Sequence, residues 1–196
     1  MTPTLLSNVK GSKDTFYRIQ KPRASTTPYP INDPDIAFLA GACDDNLPTQ
    51  DFKPEDLKSI VEDHSLWSAY QPRSPLISTT KDKGWALRLA EKISDTEGLT
   101  LDQIDIAVIR PGLVDSGKME YYHWLDLVQD LGAEIEKKSR NDHEYVFLHS
   151  IPHEAIQFYG TVEEYKNCSD DESEMEGTYF ILVGVIHTSC KSLANN

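Results

Sequence analysis

The sequence predicts a mixed α+β domain, on three observations. Short β-branched or apolar runs bounded by turn residues read as strands. Longer runs with apolar positions three and four apart read as helices. The two kinds do not alternate in regular βαβ units, and the strands fall mainly in the later part of the chain.

The elements follow in order. Residues 1–14 read as a loose arm. "TFYRIQ" (Thr15 to Gln20) has strand composition, and the Pro-rich "KPRASTTPYPINDPD" after it reads as an irregular loop. "KPEDLKSIVEDHSLW" predicts a helix, with Pro54 at its first position and Leu57, Ile60, Val61 and His64 on one face. "SPLISTT" (Ser74 to Thr80) is a β-branched strand. It runs straight into the helical pattern "KDKGWALRLAEKI", where Trp85, Ala86, Leu89, Ala90 and Ile93 recur at helical spacing. Thr100 and Gln103 form a capping-box-like turn ahead of the strand "IDIAVIR", which stops at Pro111-Gly112. "YYHWLDLVQDLGAEIEKK" predicts one long amphipathic helix along Leu125, Val128, Leu131 and Ile135. Two apolar runs joined at Ile151-Pro152 predict a strand pair. The acidic run Ser169 to Glu176 reads as a solvated loop before a last strand, Tyr179 to Ile186. The division expected is a flexible arm over 1–14 and a single domain over 15–196.

Bulk composition narrows the function. The length of 196 residues is ample for one core, and 39% hydrophobic with 26% charged residues is ordinary for a globular protein. A formal charge of −13 repels nucleic acid over most of the surface. No apolar stretch approaches about 18 residues, so no spanning helix is expected. The first residues carry no secretory pattern, so an intracellular, soluble protein is the expectation, or a secreted effector if a signal was removed. Cys43, Cys168 and Cys190 are odd in number and widely spaced, which reads as reduced thiols.

Several chemistries fail on spacing. His149 and His153 are four apart, but Pro152 lies between them in a strand-and-turn pattern. His64, His123, His143 and His187 show no ligand spacing, so no metal site is expected and these read as surface or core histidines. There is no GxSxG elbow, no GxxxxGK[ST] loop and no GxGxxG fingerprint.

Three short signals remain. Arg18 sits inside an apolar strand, either as an edge arginine in water or as a cation awaiting an anion. Ser78, Thr79 and Thr80 put three hydroxyls at a strand end, the ordinary reading being a strand running into a helix cap. Asp142 and Glu144 are two apart, so on a strand both carboxyls would share a face and raise each other's pKa. Solvated acids are the bland alternative.

Taken together, "FYR", "ISTT" and "DHEYVFLHSIPHEAIQFYG" resemble the mono-ADP-ribosyltransferase family of the cholera-toxin and heat-labile-enterotoxin type. The family's signature is an Arg, a Ser-Thr-Ser and an acid-or-Gln-x-Glu; Arg18 matches the first, Ser78 leads the second and Glu144 ends the third. A second likeness is to fungal domains with His-x-x-Trp followed by Ser-Pro-Phe-Ile-Ser, matched here by His64, Trp67 and "SPLIS". Two departures stand out. Thr80 replaces the motif's last Ser, and Asp142 stands where the family has Glu or Gln, which leaves the acceptor open.

The resemblance implies a fold of two packed, mainly antiparallel β-sheets around a cleft with flanking helices. It implies NAD as substrate, no metal, and a protein acceptor. Glu144 would stabilise the oxocarbenium-like ribose formed when the nicotinamide bond breaks. Arg18 would hold a phosphate or ribose through its fork, and Ser78 would hold Glu144 in register. Asp142 would engage the acceptor. Thr79, Thr80 and Tyr17 would complete the NAD site, while Tyr17, Trp67 and Trp85 could line the nicotinamide pocket or simply pack in the core. The rival readings are an NAD glycohydrolase on the same site and an inactive domain that binds a protein partner. DNA modification ranks last because of the charge.

Overall fold

Strand-forming runs dominate the centre of the molecule, and helices cover one face of the sheet they build. The computed structural model describes residues 14–22, 27–28, 36–39, 54–65, 74–114, 119–136 and 141–169. The expectations for the arm before Asp14, most of 21–53, Trp67, the acidic run from Asp170 onward, the strand over 179–186, His187, Cys43 and Cys190 lie outside these residues.

Nine strands and four α-helices are described: β1 (Phe16–Gln20), β2 (Thr27–Pro28), β3 (Ile36–Leu39), α1 (Pro54–Ser65), β4 (Leu76–Thr80), α2 (Lys83–Glu97), β5 (Asp105–Ile109), β6 (Tyr121–His123), α3 (Trp124–Leu131), β7 (Glu144–Leu148), β8 (Ser150–Pro152), β9 (Ile156–Thr161) and α4 (Val162–Ser169). Six strands form an antiparallel sheet in the order β6-β7-β4-β1-β5-β9, and β2-β3-β8 form a smaller one. The α+β expectation therefore holds, while the strands are spread along the chain rather than gathered late.

Alternation sorts the side chains. Phe16, Ile77, Ala107, Ile109, Tyr121 and Phe147 point from one face of the large sheet onto Phe38 and Ile151 of the small one. On the other face, Leu76, Val146 and Leu148 pack against Leu57 and Val61 of α1 and Trp124 and Leu127 of α3. Ile106 and Val108 meet Ala90 of α2 and Val162 and Tyr165 of α4.

Four departures from the sequence reading have local causes. Tyr121–His123, expected in a helix, form β6 because Tyr121 and Tyr122 pair across to Phe147 and Val146. The helix then stops at Gly132, whose φ of 59° only glycine adopts cheaply, with its N–H on the Gln129 carbonyl. Pro28 lies in β2, inside the segment expected to be irregular; β2 is the outer strand of the small sheet as described, where a missing N–H is tolerated. Helix α4 was not expected at all. It is opened by a reciprocal cap: Glu164 N–H donates to Thr161 Oγ1 at 3.1 Å, and Thr161 N–H donates to Glu164 Oε2 at 2.8 Å.

Candidate active site

The site forms where the large sheet changes partners. β1 runs in register with β5 for five pairs and β4 with β7 for five, yet β1 and β4 meet at the pair Tyr17↔Thr80 among the described residues. Arg18 bridges the two strands just beyond that pair. Its Nη1 donates to the carbonyl oxygen of Ser78 at 2.7 Å. The strand is interior, flanked by β4 and β5, so the reading of Arg18 as an edge residue in water does not hold. Burial of the guanidinium lowers its pKa to about 10, with the Tyr159 phenol opposing the drop, and the cation lies 5.8 Å from the Phe38 ring centroid.

Ser78 is the hub. Its backbone carbonyl holds Arg18, and its hydroxyl lies between two side chains. One is Glu144, which enters β7 opposite Thr80, one pair from Ser78↔Val146. Residues 76, 78 and 80 of β4 and 144, 146 and 148 of β7 share the face that carries α1 and α3, so hydroxyl and carboxyl meet. Burial raises the Glu144 pKa above the ordinary carboxylate range, and the hydrogen bond from Ser78 partly offsets this. Asp142 contributes nothing to that shift.

The other neighbour is His64, at the end of α1. Its Nε2 lies 3.0 Å from Ser78 Oγ and its Nδ1 lies 2.8 Å from Ser74 Oγ, with the ring edge-on to Trp124 at 5.6 Å. Burial, and then the charge of Arg18, lower its pKa from 6.5 to about 4, so the ring is neutral at physiological pH.

With the ring neutral, ionisation of Glu144 fixes the direction of every bond in this chain. A carboxylate only accepts, so the Ser78 hydroxyl donates to Glu144. Ser78 Oγ then accepts from His64 Nε2–H. Bare Nδ1 accepts from the Ser74 hydroxyl, and Ser74 Oγ in turn accepts the Leu76 N–H at 3.1 Å. The proton order runs one way, from the β4 backbone through Ser74, His64 and Ser78 to Glu144.

The remaining residues singled out in the sequence lie differently. Thr79 Oγ1 donates to the Tyr145 carbonyl at 3.1 Å, and Thr80 Oγ1 accepts from Asp82 N–H at 3.1 Å; both threonines are buried and tie β4 to its surroundings. Tyr17, opposite Thr80 in the register, lies edge-on to Tyr165 of α4 at 6.4 Å, away from Ser78 and Glu144 along the sheet. Trp85 lies half-buried in the first turn of α2, where its N–H donates to the capping carboxylate of Asp82 at 2.8 Å.

Asp142 is not on the strand. Asn141 Oδ1 accepts His143 N–H at 3.0 Å and its carbonyl accepts Glu144 N–H at 3.3 Å, which curls 141–143 into a turn ahead of β7. The expected shared face of Asp142 and Glu144 therefore does not form. Asp142 is exposed, and its carbonyl lies 3.0 Å from Nε2 of His123. Among the described residues, no group of three or more His, Cys, Asp or Glu side chains is placed to hold a metal ion. No described helix is long and apolar enough to cross a membrane.

His64 is the residue that the sequence reading undervalued, as one more surface or core histidine. Two clues were present: Ser74 and Ser78 are an even number apart on a strand, and the helix just upstream presents His64 on its apolar face.

A family described as a domain of unknown function, DUF7587, matches residues 11–164, and the chain belongs to it. No curated protein matches this chain. A solved structure named EcPltA is similar at 15% identity and a TM-score of 0.44, with 74% of each chain covered; a likeness so loose carries no argument about activity.

Proposed function

We propose that the chain is an NAD-dependent mono-ADP-ribosyltransferase, which breaks the nicotinamide–ribose bond and transfers ADP-ribose to a protein side chain. The observation that carries this reading is the oriented chain Ser74–His64–Ser78–Glu144 with Arg18 bonded to the same Ser78. It supports the wider reading of an ADP-ribosyltransferase-like fold.

The chemistry needs one fixed negative charge and one cation for the diphosphate. Cleavage is heterolytic: the bonding pair leaves with nicotinamide, and positive charge develops on the ribose C1′ and ring oxygen. Glu144, held by the Ser78 hydroxyl and desolvated by burial, supplies the charge. A buried carboxylate is stronger toward such a cation than one in water, since the surroundings screen it less. Arg18 supplies a charge-assisted contact for a phosphate oxygen beside its bond to Ser78. His64 positions: while neutral it keeps the Ser78 proton pointed at Glu144. The acceptor's lone pair then attacks C1′ and its proton leaves to a base, for which Asp142 is the nearest candidate in sequence.

The position of Asp142 also favours a second reading, an NAD glycohydrolase with water as acceptor. The acid sits in an exposed turn, outside the chain that holds Glu144. Both enzymes release nicotinamide, so labelled NAD decides between them. Incubation with candidate acceptor proteins should leave label covalently on protein; label found wholly in free ADP-ribose selects the glycohydrolase. Glu144→Gln should lower nicotinamide release about a hundredfold or more, and Asp142→Ala should lower transfer while sparing much of the release. Equal turnover by wild type and Glu144→Gln would remove Glu144 from the mechanism.

A further inference from the structure

Glu144 stands at the very start of β7, between β6 and β4 in the sheet. On the β4 side it still has a partner, Thr80. On the β6 side the last pair is His123↔Tyr145, one residue short of Glu144. A strand end paired on one side alone opens more readily than the strand interior. Where the β6 ladder stops, the His123 side chain takes over. Its ring lies 5.1 Å from that of Tyr145, tilted by 59°, and its Nε2 lies 3.0 Å from the carbonyl oxygen of Asp142. A carbonyl only accepts, so Nε2 carries a hydrogen and donates. One imidazole thus touches the chain one residue after Glu144 and two residues before it. Tyr145 packs on the face that carries Phe16, and His123 is directly opposite it in the ladder. The Glu144 carboxyl points to the other face, so the grip of His123 acts through the backbone.

The two sides of the grip are themselves anchored. Asp126, in the first turn of α3, places Oδ2 3.2 Å from Nδ1 of His123. Tyr145 meets Phe16 edge-on at 5.1 Å, and the Lys81 ammonium lies 4.5 Å from its ring centroid, paired with Asp14 at 2.8 Å. Neither helix nor core accounts for a histidine here. His123 is the N-cap of α3, a place where Ser, Thr, Asp or Asn would bond a first-turn N–H, yet its side chain makes no such bond. Its contacts to Asp142 and Asp126 lie at the exposed end of the sheet, where such pairs add little to global stability. What they fix is local. A peptide plane is rigid, so holding the Asp142 carbonyl holds the 142–143 plane. The Asn141 carbonyl, accepting Glu144 N–H at 3.3 Å, joins that plane to the first residue of β7.

We propose that His123 is a positioning residue for Glu144: it clamps the chain on both sides of that residue and so fixes where the carboxylate stands against the ribose. The inference rests on the NAD reading above and deepens it. Ser78 holds the carboxylate by its tip, and His123 holds the backbone from which it projects. A misplacement of about 1 Å costs on the order of a hundredfold in a step of this kind. A loosened turn therefore lowers turnover and leaves NAD affinity nearly unchanged.

Steady-state nicotinamide release from NAD by the full chain, with hydrogen exchange at the His143 and Glu144 amides read by NMR, tests this. His123→Phe keeps a ring over Tyr145 and loses the donor. It should lower kcat about tenfold with KM within about twofold, and speed exchange at both amides about tenfold. Unchanged protection along β4 controls for folding. His123→Gln regains a donor for the Asp142 carbonyl and should return kcat to within about threefold of wild type, a rescue that a packing role for the ring would not give. A His123→Phe kcat equal to that of an active wild type overturns the proposal and leaves the NAD reading standing. Faster exchange in His123→Phe, with no nicotinamide released by the wild type, leaves the clamp standing and removes the NAD reading. Equal exchange together with no release overturns both.

Discussion

Glu144 and His64 are tuned in opposite directions by the same burial, and this makes stability depend on pH in a specific way. His64 is lowered from 6.5 to about 4, so it stays neutral in the folded chain while the unfolded chain takes up a proton below about pH 6.5. Unfolding is then favoured as pH falls through that window. The shift corresponds to roughly 3 kcal/mol, complete near pH 4. Glu144, being raised, acts oppositely: its ionisation above the ordinary carboxylate value costs stability, and acidification relieves that cost. Urea unfolding between pH 7 and 4 should therefore show a loss that His64→Gln largely removes; a His64→Gln slope equal to wild type would place the titration elsewhere. The proton order argued above also breaks when His64 gains its second proton, because Nδ1 then donates to Ser74 rather than accepting from it. Activity should fall on the acid side near the same value, about 4.

Elements were legible in the sequence to the extent that their signals were local. The strand "ISTT" and helix α2 stand close to where the pattern put them, because Asp82 caps α2 by accepting the Trp85 N–H at 2.8 Å. Replacing that cap, Asp82→Ala, should cost about 1 kcal/mol in denaturant unfolding. Gly132→Val should cost a similar or larger amount, since a β-branched side chain is strained at a φ of 59°. An unchanged midpoint in both variants would mean that neither helix end is held by these residues. The stop at Gly132 was readable and was overridden by the apolar spacing that continues through Ile135. β6 was not readable, since "YYH" fits a helix or a strand and its pairing with β7 decides. The Thr161–Glu164 cap of α4 was visible in the letters, a Thr followed three residues later by a Glu, but went unread beside the acidic run that begins at Ser169.

At the scale of the whole molecule, the acidic balance of −13 coexists with a buried cation, Arg18, at the seam of the large sheet. Net charge bears on what approaches the surface and says little about a single buried pocket. The three motif residues Arg18, Ser78 and Glu144 were readable as a set in the sequence, and the fold brings them together through Ser78. Asp142 was misread because spacing two assumes a strand, whereas Asn141 makes a turn there. His64 was undervalued because its partners come from another element, which no local pattern reports. The most direct measurement of the central claim is nicotinamide release from NAD by the purified chain, followed over time beside folded Ser78→Ala and Glu144→Gln. The site described predicts release by the wild type, about tenfold less with Ser78→Ala and about a hundredfold less with Glu144→Gln. Release that is absent in the wild type, or identical in all three proteins, would contradict it.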